Sequence, residues 1–271
     1  MIGIHIDSSI NALSDELDRV HKLGGNMIQL FVEPMAKSNA YDKFVKHISA
    51  LKMACVVHIS YTINCSKNWT EYSWWVKQFI LEIEQAAKIG ARSVVVHLGK
   101  QLSLSKEEAL NNMYSCLLYV HQQTKNYSHV KILLETSSGQ GSEMCFMLDD
   151  LAYFYKKLSH NKNESIRQRF GLCIDTCHIF ASGYDLRSKK LIGKYIKLFE
   201  KKIGIQHIKL VHLNDSKKDL ESHVDRHENI GNGFIGKDPL IYFATFFKDL
   251  EVSIILETPQ QLQEQDIQMI K

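Results

Sequence analysis

The stretch IKLVHLNDSKKDLESHVDRHENIGNGFIG, residues 208–236, begins as an apolar run and ends in a glycine-rich loop. The run 208–213 is short and largely apolar, so it predicts a buried β-strand. Side chains that bind metals or carry positive charge are crowded into the segment that follows. They are His212, Asp215, Lys217, Lys218, His223, Asp225, Arg226 and His227. We therefore interpret this stretch as a strand that delivers chemical groups to a site at its carboxyl end.

Similar apolar runs recur along the whole chain, and longer amphipathic segments lie between them. Short runs rich in Val and Ile predict buried strands, whereas longer segments with helical spacing predict surface helices. The predicted strands are 2–6, 27–32, 54–59, 93–98, 130–134, 170–174, 208–213 and 252–256. The predicted helices are 14–23, 41–51, 71–89, 105–123, 142–158, 191–202, 239–250 and 260–270.

Eight strands alternating with eight helices predict an α/β protein with a single (β/α)8 TIM barrel. The 271 residues show no break in composition, so we expect one domain over 1–271. A doubly wound sheet is the alternative fold. The polar segment 159–169 is short enough to be a loop rather than a linker between domains.

A TIM barrel carries its functional groups at the carboxyl ends of its strands. Six histidines and carboxylates stand at or next to the ends of the predicted strands. Any one of them alone has an ordinary structural explanation, such as a hydrogen-bonded histidine or a glutamate that caps a helix. Six of them at six different strand ends are not explained in that way, and they predict a shared site there. The six residues are His58, His97, Glu135, Asp175, His212 and Glu257.

Carboxylates packed at one barrel mouth repel each other unless cations lie between them. A mixed set of imidazoles and carboxylates suits zinc, manganese or iron better than calcium or magnesium. Two local clusters extend the set: Asp175 with His178 in CIDTCH, and Asp225 with His227 in VDRH. The sequence therefore predicts a transition-metal site.

Composition and motifs argue against several other classes of protein. The net charge of +3 is too small to indicate nucleic acid by itself, although it permits an anionic partner. Six cysteines without a CxxC pair favour reduced thiols in an intracellular protein. No signal peptide and no membrane-spanning segment are expected, so we predict a soluble protein without a membrane partner. GNGFIG (231–236) satisfies GxGxxG, but it does not follow a first strand, so we expect no nucleotide cofactor.

Long motifs in the chain resemble the endonuclease IV family of apurinic/apyrimidinic (AP) endonucleases. They occur in the order found in the family and span residues 58–259. The motifs are HISYTIN (58–64), VVHLG (95–99), LETSSGQG (134–141), CIDTCHIFASGYDLR (173–187), HLNDSK (212–217), VDRHENIGNGFIG (224–236) and LETP (256–259).

The resemblance implies a barrel with three zinc ions at its mouth, with manganese as a substitute metal. His58, His97 and Glu135 would hold the first zinc, and Glu135 would bridge to the second. Asp175, His212 and Glu257 would complete the second site, whereas the third zinc would be held by His178, Asp225 and His227.

The activity implied by the resemblance is cleavage of the phosphodiester 5′ to an abasic site in duplex DNA. The products would be a 3′-hydroxyl and a 5′-deoxyribose phosphate, and the same site would trim blocked 3′ ends. Catalysis would use a zinc-activated hydroxide, with Glu135 bridging two metals and Glu257 orienting or deprotonating the nucleophile. We expect a monomer that acts in base excision repair.

Four residues are candidates for DNA contacts. Tyr61 matches a tyrosine in a DNA-inserting loop of the family, and Lys217 and Arg226 are candidate phosphate contacts. After the second strand many members read LFxKNxRxW, with an arginine that inserts into DNA. This chain has LFVEPMAKSNA (30–40) instead, so Lys37 is the candidate replacement. After His97 the family's Pro-Gly-Ser-His is also absent here.

Two other functions fit part of the pattern. A divalent-metal sugar isomerase or epimerase on the same barrel would use a Glu–Asp–His–Glu quartet, which Glu135, Asp175, His212 and Glu257 satisfy. Such an enzyme has no need for the other five metal-binding residues. A non-catalytic DNA-damage binder is the second alternative, and the complete ligand set argues against it.

Overall fold

The computed structural model describes residues 1–7, 9–37 and 39–271. Its strands are β1 (Ile2–Ile6), β2 (Met27–Leu30), β3 (Ala54–His58), β4 (Ser93–His97), β5 (Lys131–Glu135), β6 (Phe170–Asp175), β7 (Ile208–His212), β8 (Asp215–Ser216), β9 (His227–Glu228) and β10 (Ser253–Leu256). Eight of them pair in the order β1-β10-β7-β6-β5-β4-β3-β2 and close a barrel in which every strand is parallel to its neighbours. The predicted (β/α)8 barrel is confirmed, and the closed sheet excludes the doubly wound alternative.

The helices are α1 (Leu13–Lys22), α2 (Asp42–Ala50), α3 (Trp74–Lys88), α4 (Lys106–Gln123), α5 (Leu148–Ser159), α6 (Glu164–Arg169), α7 (Thr176–Ala181), α8 (Lys189–Lys202), α9 (Lys237–Asp249) and α10 (Gln263–Ile270). Local sequence explains where several of them begin. Ser105 and Glu108 form a capping box at the start of α4, and the Ser188 side chain caps α8. None of the helices in the described residues is both long and apolar enough to cross a membrane.

The observed local structure differs from simple sequence patterns in three places. The helix predicted over 142–158 begins only at Leu148, because Ser142 and Met144 are hydrogen-bonded to the loop after β4 instead. The predicted loop 159–169 contains α6, which is capped by Asn163 and buries Ile166. The polar stretch after β7 forms a small antiparallel hairpin of β8 and β9 rather than an irregular loop.

The barrel strands alternate between two environments. Val56, Val95 and Leu133 lie in an apolar cluster inside the barrel. Val57 and Leu134, one residue further along, belong to the larger core between the barrel and the helices. Side chains alternate along a strand, so the residue two positions after each interior residue faces the interior again, nearer the carboxyl end. There each strand, or in the case of β10 the residue directly after it, contributes a polar residue. This polar layer consists of His5, Gln29, His58, His97, Glu135, Asp175, His212 and Glu257.

Candidate metal centre

The structure brings together all nine residues that the sequence analysis predicted as metal ligands. They form three groups, and the nitrogen and oxygen atoms within each group lie within 4.8 Å of one another. The first two groups share Glu135, and the third lies against the second, with His227 Nε2 3.5 Å from Asp175 Oδ2, so the three make one continuous centre at the barrel mouth. The groups are His58, His97 and Glu135; Glu135, Asp175, His212 and Glu257; and His178, Asp225 and His227.

Glu135 ends β5 and connects the first two groups, one carboxylate oxygen in each. Its Oε2 lies 3.3 Å from His58 Nε2 and 3.5 Å from His97 Nε2. Its Oε1 lies 2.7 Å from His212 Nδ1. The carboxylate is 1% exposed, so its two oxygens are directed into the centre rather than into solvent.

The second group surrounds His212, at the end of β7. His212 Nδ1 lies 3.1 Å from Glu257 Oε2 and 3.9 Å from Asp175 Oδ2. Asn214 holds the two carboxylates, because its amide nitrogen lies 2.6 Å from Asp175 Oδ2 and 3.5 Å from Glu257 Oε2. Three acidic or basic side chains from three strands are thus fixed around one small volume.

The third group is assembled by α7 and the β8–β9 hairpin. Asp175 Oδ1 accepts a hydrogen bond from the His178 backbone N–H at 2.9 Å and so begins α7 at the end of β6. The Nε2 atoms of His178 and His227 each lie 3.2 Å from Asp225 Oδ1. Both nitrogens are buried, and neither makes a well-formed hydrogen bond within the described residues. Buried polar atoms without partners are costly, and a cation bound between them would satisfy both.

Backbone carbonyl groups orient two of the imidazoles. His58 Nδ1 donates to Ile59 O at 2.8 Å, and His178 Nδ1 donates to Thr136 O at 2.7 Å. Each bond places the proton on Nδ1 and leaves the Nε2 lone pair facing the centre. Metal-ligating histidines have this arrangement in general, so these residues fit a metal-binding site.

Strong charge coupling marks the centre. Burial by itself would raise the pKa of Glu135, but the His97 and His212 imidazoles outweigh it and hold the pKa well below its ordinary value. Burial would lower the pKa of His227, yet the Asp175 and Asp225 carboxylates raise it to about 9. Protons on histidines therefore balance the four carboxylates in the metal-free protein. Cations compensate the same charge when they replace those protons.

The glycine-rich segment 231–236 folds over a buried aspartate. The Asp215 carboxylate is fully buried and accepts backbone N–H bonds from Gly231, Gly233 and Gly236 at Oδ2, at 3.0, 3.1 and 3.2 Å. Its Oδ1 accepts from Ile235 at 2.9 Å. A Cβ on Gly233 would lie 2.4 Å from the Ser216 carbonyl oxygen, so only glycine fits there. These N–H groups bind an internal carboxylate, which explains the GxGxxG pattern without a nucleotide.

The four candidate DNA contacts lie outside the buried centre. Tyr61, in the loop after β3, is 66% exposed, and its ring centroid lies 5.2 Å from that of His58 and 5.3 Å from that of His97. A cleft of about 440 Å³ opens beside it and is lined by Tyr61, His227 and Glu257 among others. Lys217 and Arg226 are exposed on the hairpin. Lys37 is exposed in the loop after β2.

Sequence reasoning missed several residues of the site. His5 and Gln29 belong to the polar layer, but no strand-end rule selects them, because Gln29 precedes the end of β2. Asn214 follows His212 in the HLNDSK motif, which was a signal of its importance. Asp215 is among the metal-competent side chains named from the sequence, but its carboxylate binds the backbone of the glycine-rich loop and belongs to none of the three groups. Cys173 and Cys177 also lie beside the centre. Burial raises the pKa of each thiol to about 12, so both are packed as neutral thiols.

Comparisons with known proteins agree with this geometry. The xylose isomerase-like TIM barrel family matches residues 17–271. The chain is 35% identical to a protein named putative endonuclease 4 from Acanthamoeba polyphaga mimivirus, over 95% of this chain and 85% of that protein. It is 32% identical to apurinic-apyrimidinic endonuclease 1 from Schizosaccharomyces pombe, over 87% of this chain and 68% of that protein. The fold matches endonuclease IV from Thermus thermophilus with a TM-score of 0.81 at 23% identity, over 99% and 97% of the two chains.

Proposed function

Since the chain belongs to the endonuclease 4 family, we propose that it is a zinc-dependent endonuclease of base excision repair. It cleaves the phosphodiester 5′ to abasic sites in duplex DNA and leaves a 3′-hydroxyl and a 5′-deoxyribose phosphate. It also trims blocked 3′ ends. The observation that carries this proposal is the convergence of nine metal-competent residues into three adjacent groups. A sugar isomerase would need only the four residues of the second group.

In this proposal each group holds one zinc ion. His58, His97 and Glu135 would hold the first, and Glu135 would also contribute to the second. Asp175, His212 and Glu257 complete the second site, whereas His178, Asp225 and His227 hold the third. Imidazole and carboxylate donors suit zinc, with manganese as an alternative metal. The two buried nitrogens without partners, on His178 and His227, support a cation in the third group.

When bound, zinc supplies a nucleophile from water at neutral pH and stabilises negative charge on the phosphate. Glu135 and Glu257 are the catalytic carboxylates of the chain. Glu257 is held in one orientation, since Gln29 Nε2 donates to its Oε1 at 2.7 Å and its Oε2 lies 3.1 Å from His212. Facing the cleft, it orients the attacking water and accepts its proton.

The substrate is duplex DNA whose abasic nucleotide turns out of the helix. Extrusion costs little at such a lesion, because its base pairing is already lost. Tyr61 is exposed at the mouth of the centre, where its ring fills the space that the missing base leaves. Lys217 and Arg226 on the hairpin and Lys37 after β2 contact phosphates. We expect the enzyme to act as a monomer.

The test combines metal analysis with one substrate panel. Purified protein should contain close to three zinc ions per chain and should nick a labelled abasic duplex on the 5′ side of the lesion. The same preparation is offered an undamaged duplex, a 3′-blocked duplex and a set of ketose sugars. If the protein converted a sugar and left the abasic duplex uncut, the proposal would be wrong and the protein would be a sugar isomerase. Tight binding of the lesion by zinc-loaded protein without cleavage would replace it with a damage binder.

A matched pair of histidine variants separates site effects from general damage. His97→Asn removes a proposed ligand of the first zinc. His129→Asn makes the same change at an exposed position just before β5, at the opposite end of the barrel. Only His97→Asn should lose zinc and cleavage. Equal activity of both variants would contradict the ligand assignment.

A further inference from the structure

Gln29 lies at the centre of a hydrogen-bond network that no strand-end pattern predicts. It is the contribution of β2 to the polar layer, and it is fully buried. Its amide oxygen lies 2.9 Å from His212 Nε2. Its amide nitrogen lies 2.7 Å from Glu257 Oε1 and 2.9 Å from His5 Nδ1. One side chain therefore touches both a proposed imidazole ligand and a proposed carboxylate ligand of the second zinc.

The orientation of this amide follows from its neighbours. The Glu257 carboxylate only accepts hydrogen bonds in the ionised form that a metal ligand takes, and its Oε1 lies 2.7 Å from the Gln29 amide nitrogen. The group that faces Glu257 must therefore be the donating nitrogen of Gln29. The oxygen of Gln29 is then the group that faces His212.

An amide oxygen only accepts, so His212 must donate from Nε2. This bond holds the imidazole proton on Nε2 and leaves Nδ1 as the atom that faces Glu135 and Glu257, at 2.7 and 3.1 Å. His58 and His178 make the equivalent bond from the other ring nitrogen, and they make it to backbone carbonyl groups. The partner of His212 is a side chain, so substitution can remove it.

We propose that Gln29 is a positioning residue for the second metal. Its oxygen selects the Nε2–H tautomer of His212, and its nitrogen holds Glu257 in the orientation that ligation needs. This inference rests on the zinc site of the proposed function. It adds a residue from a strand that supplies none of the nine proposed ligands.

A residue that only fills the barrel would behave differently from a positioning residue. Gln29→Met keeps the length of the side chain and removes its hydrogen bonds to His212, Glu257 and His5. If Gln29 only packs, the variant loses stability and binds zinc as before. If Gln29 positions the ligands, zinc affinity falls, because loss of such an outer partner costs about 10–100-fold in metal affinity.

The experiment is a zinc titration of metal-free protein in competition with a chromophoric chelator. Gln29→Met should weaken one of the zinc-binding steps by about 10–100-fold and leave the others near their wild-type affinity. Gln85→Met is the matched control, since Gln85 is a buried glutamine on α3 whose amide contacts Pro34 O and Ala36 O. It should bind zinc like the wild type. Equal zinc affinity in Gln29→Met and the wild type would overturn the inference.

A second measurement does not depend on the folding of the variant. In zinc-loaded wild-type protein, the ¹⁵N signals of the His212 ring should show a protonated Nε2 and a zinc-bound Nδ1. The opposite pattern would overturn the inference. Neither measurement uses DNA, so a zinc-binding protein that fails to cleave abasic duplexes would refute the proposed activity alone. A wild-type protein that binds no zinc would refute both.

Discussion

Replacement of Asp215 by Asn should destabilise the protein far more than an ordinary surface change. The carboxylate is fully buried, and its Oδ2 accepts three backbone N–H bonds while Oδ1 accepts two, from Ile235 and Ser216. Whichever way the new amide turns, its nitrogen replaces one of these oxygens and faces other donors. At least two bonds are lost, and bonds to a charged group contribute about 1.5–3 kcal/mol each. The expected loss is about 3–6 kcal/mol, a large part of the stability of a typical domain.

Urea denaturation followed by circular dichroism, with chelator present to remove metals, measures this loss. Asp219→Asn is the control, because Asp219 lies four residues away on the surface and its side chain is 62% exposed. Its unfolding free energy should change by no more than about 0.5 kcal/mol. Asp215→Asn should also lose zinc, because β8 pairs with β9, which carries His227. A variant as stable as Asp219→Asn would refute the claim that Asp215 anchors the glycine-rich loop.

Four further predictions concern the metal centre and its mouth. Glu135→Gln should lower the rate of abasic-site cleavage by about 10²–10³-fold or more, because an amide has only one oxygen and cannot contribute a ligand to both metal groups. Near-normal rates would contradict the bridging role of Glu135. Zinc affinity should rise as the pH increases towards 9, because His227 in the metal-free protein has a pKa of about 9 and must release its proton to bind zinc. A zinc affinity that stays constant between pH 6 and 9 in chelator competition would contradict this. The metal-free protein should also lose stability as the pH rises through 9, because a raised pKa in the folded state stabilises only while the proton is bound. Tyr61→Ala should weaken binding to an abasic duplex by about 1–3 kcal/mol without changing the zinc content. Tyr72→Ala is the control, at a 75% exposed position in the same loop region, and it should weaken binding less.

The strands and most helices follow directly from local patterns. All eight predicted strands are present within two residues of their predicted ends, because short runs of Val, Ile and Leu have no stable alternative to burial in a parallel barrel. Helix α4 begins where the Ser105–Glu108 capping pattern places it. Where residues find distant backbone partners, local patterns fail. Residue 142 belongs to an amphipathic run, yet its carbonyl accepts a bond from Gln101 in the neighbouring loop after β4.

The nine proposed ligands were also identifiable before the structure, although their pairwise geometry was not. His58, His97, Glu135, Asp175 and His212 each end a strand, and the closed barrel brings all those ends to one rim. Asp225 and His227 were recognisable as a local cluster in VDRH, but only the family resemblance assigned them, with His178, to a third metal. The hairpin that orients the Asp225 and His227 side chains forms only because Asp215 and Ser216 pair with Glu228 and His227.

The sequence by itself determined the alternation of strands and helices, the chemistry of the ligand set and the family to which the chain belongs. Each of these depends on neighbours along the chain, on residue type or on motif order. Only the tertiary structure decided that Gln29 stands between His212 and Glu257, and that the glycine-rich loop encloses Asp215. Those contacts join residues up to 228 positions apart. Their distances depend on the register in which eight strands close, and no local pattern contains that register.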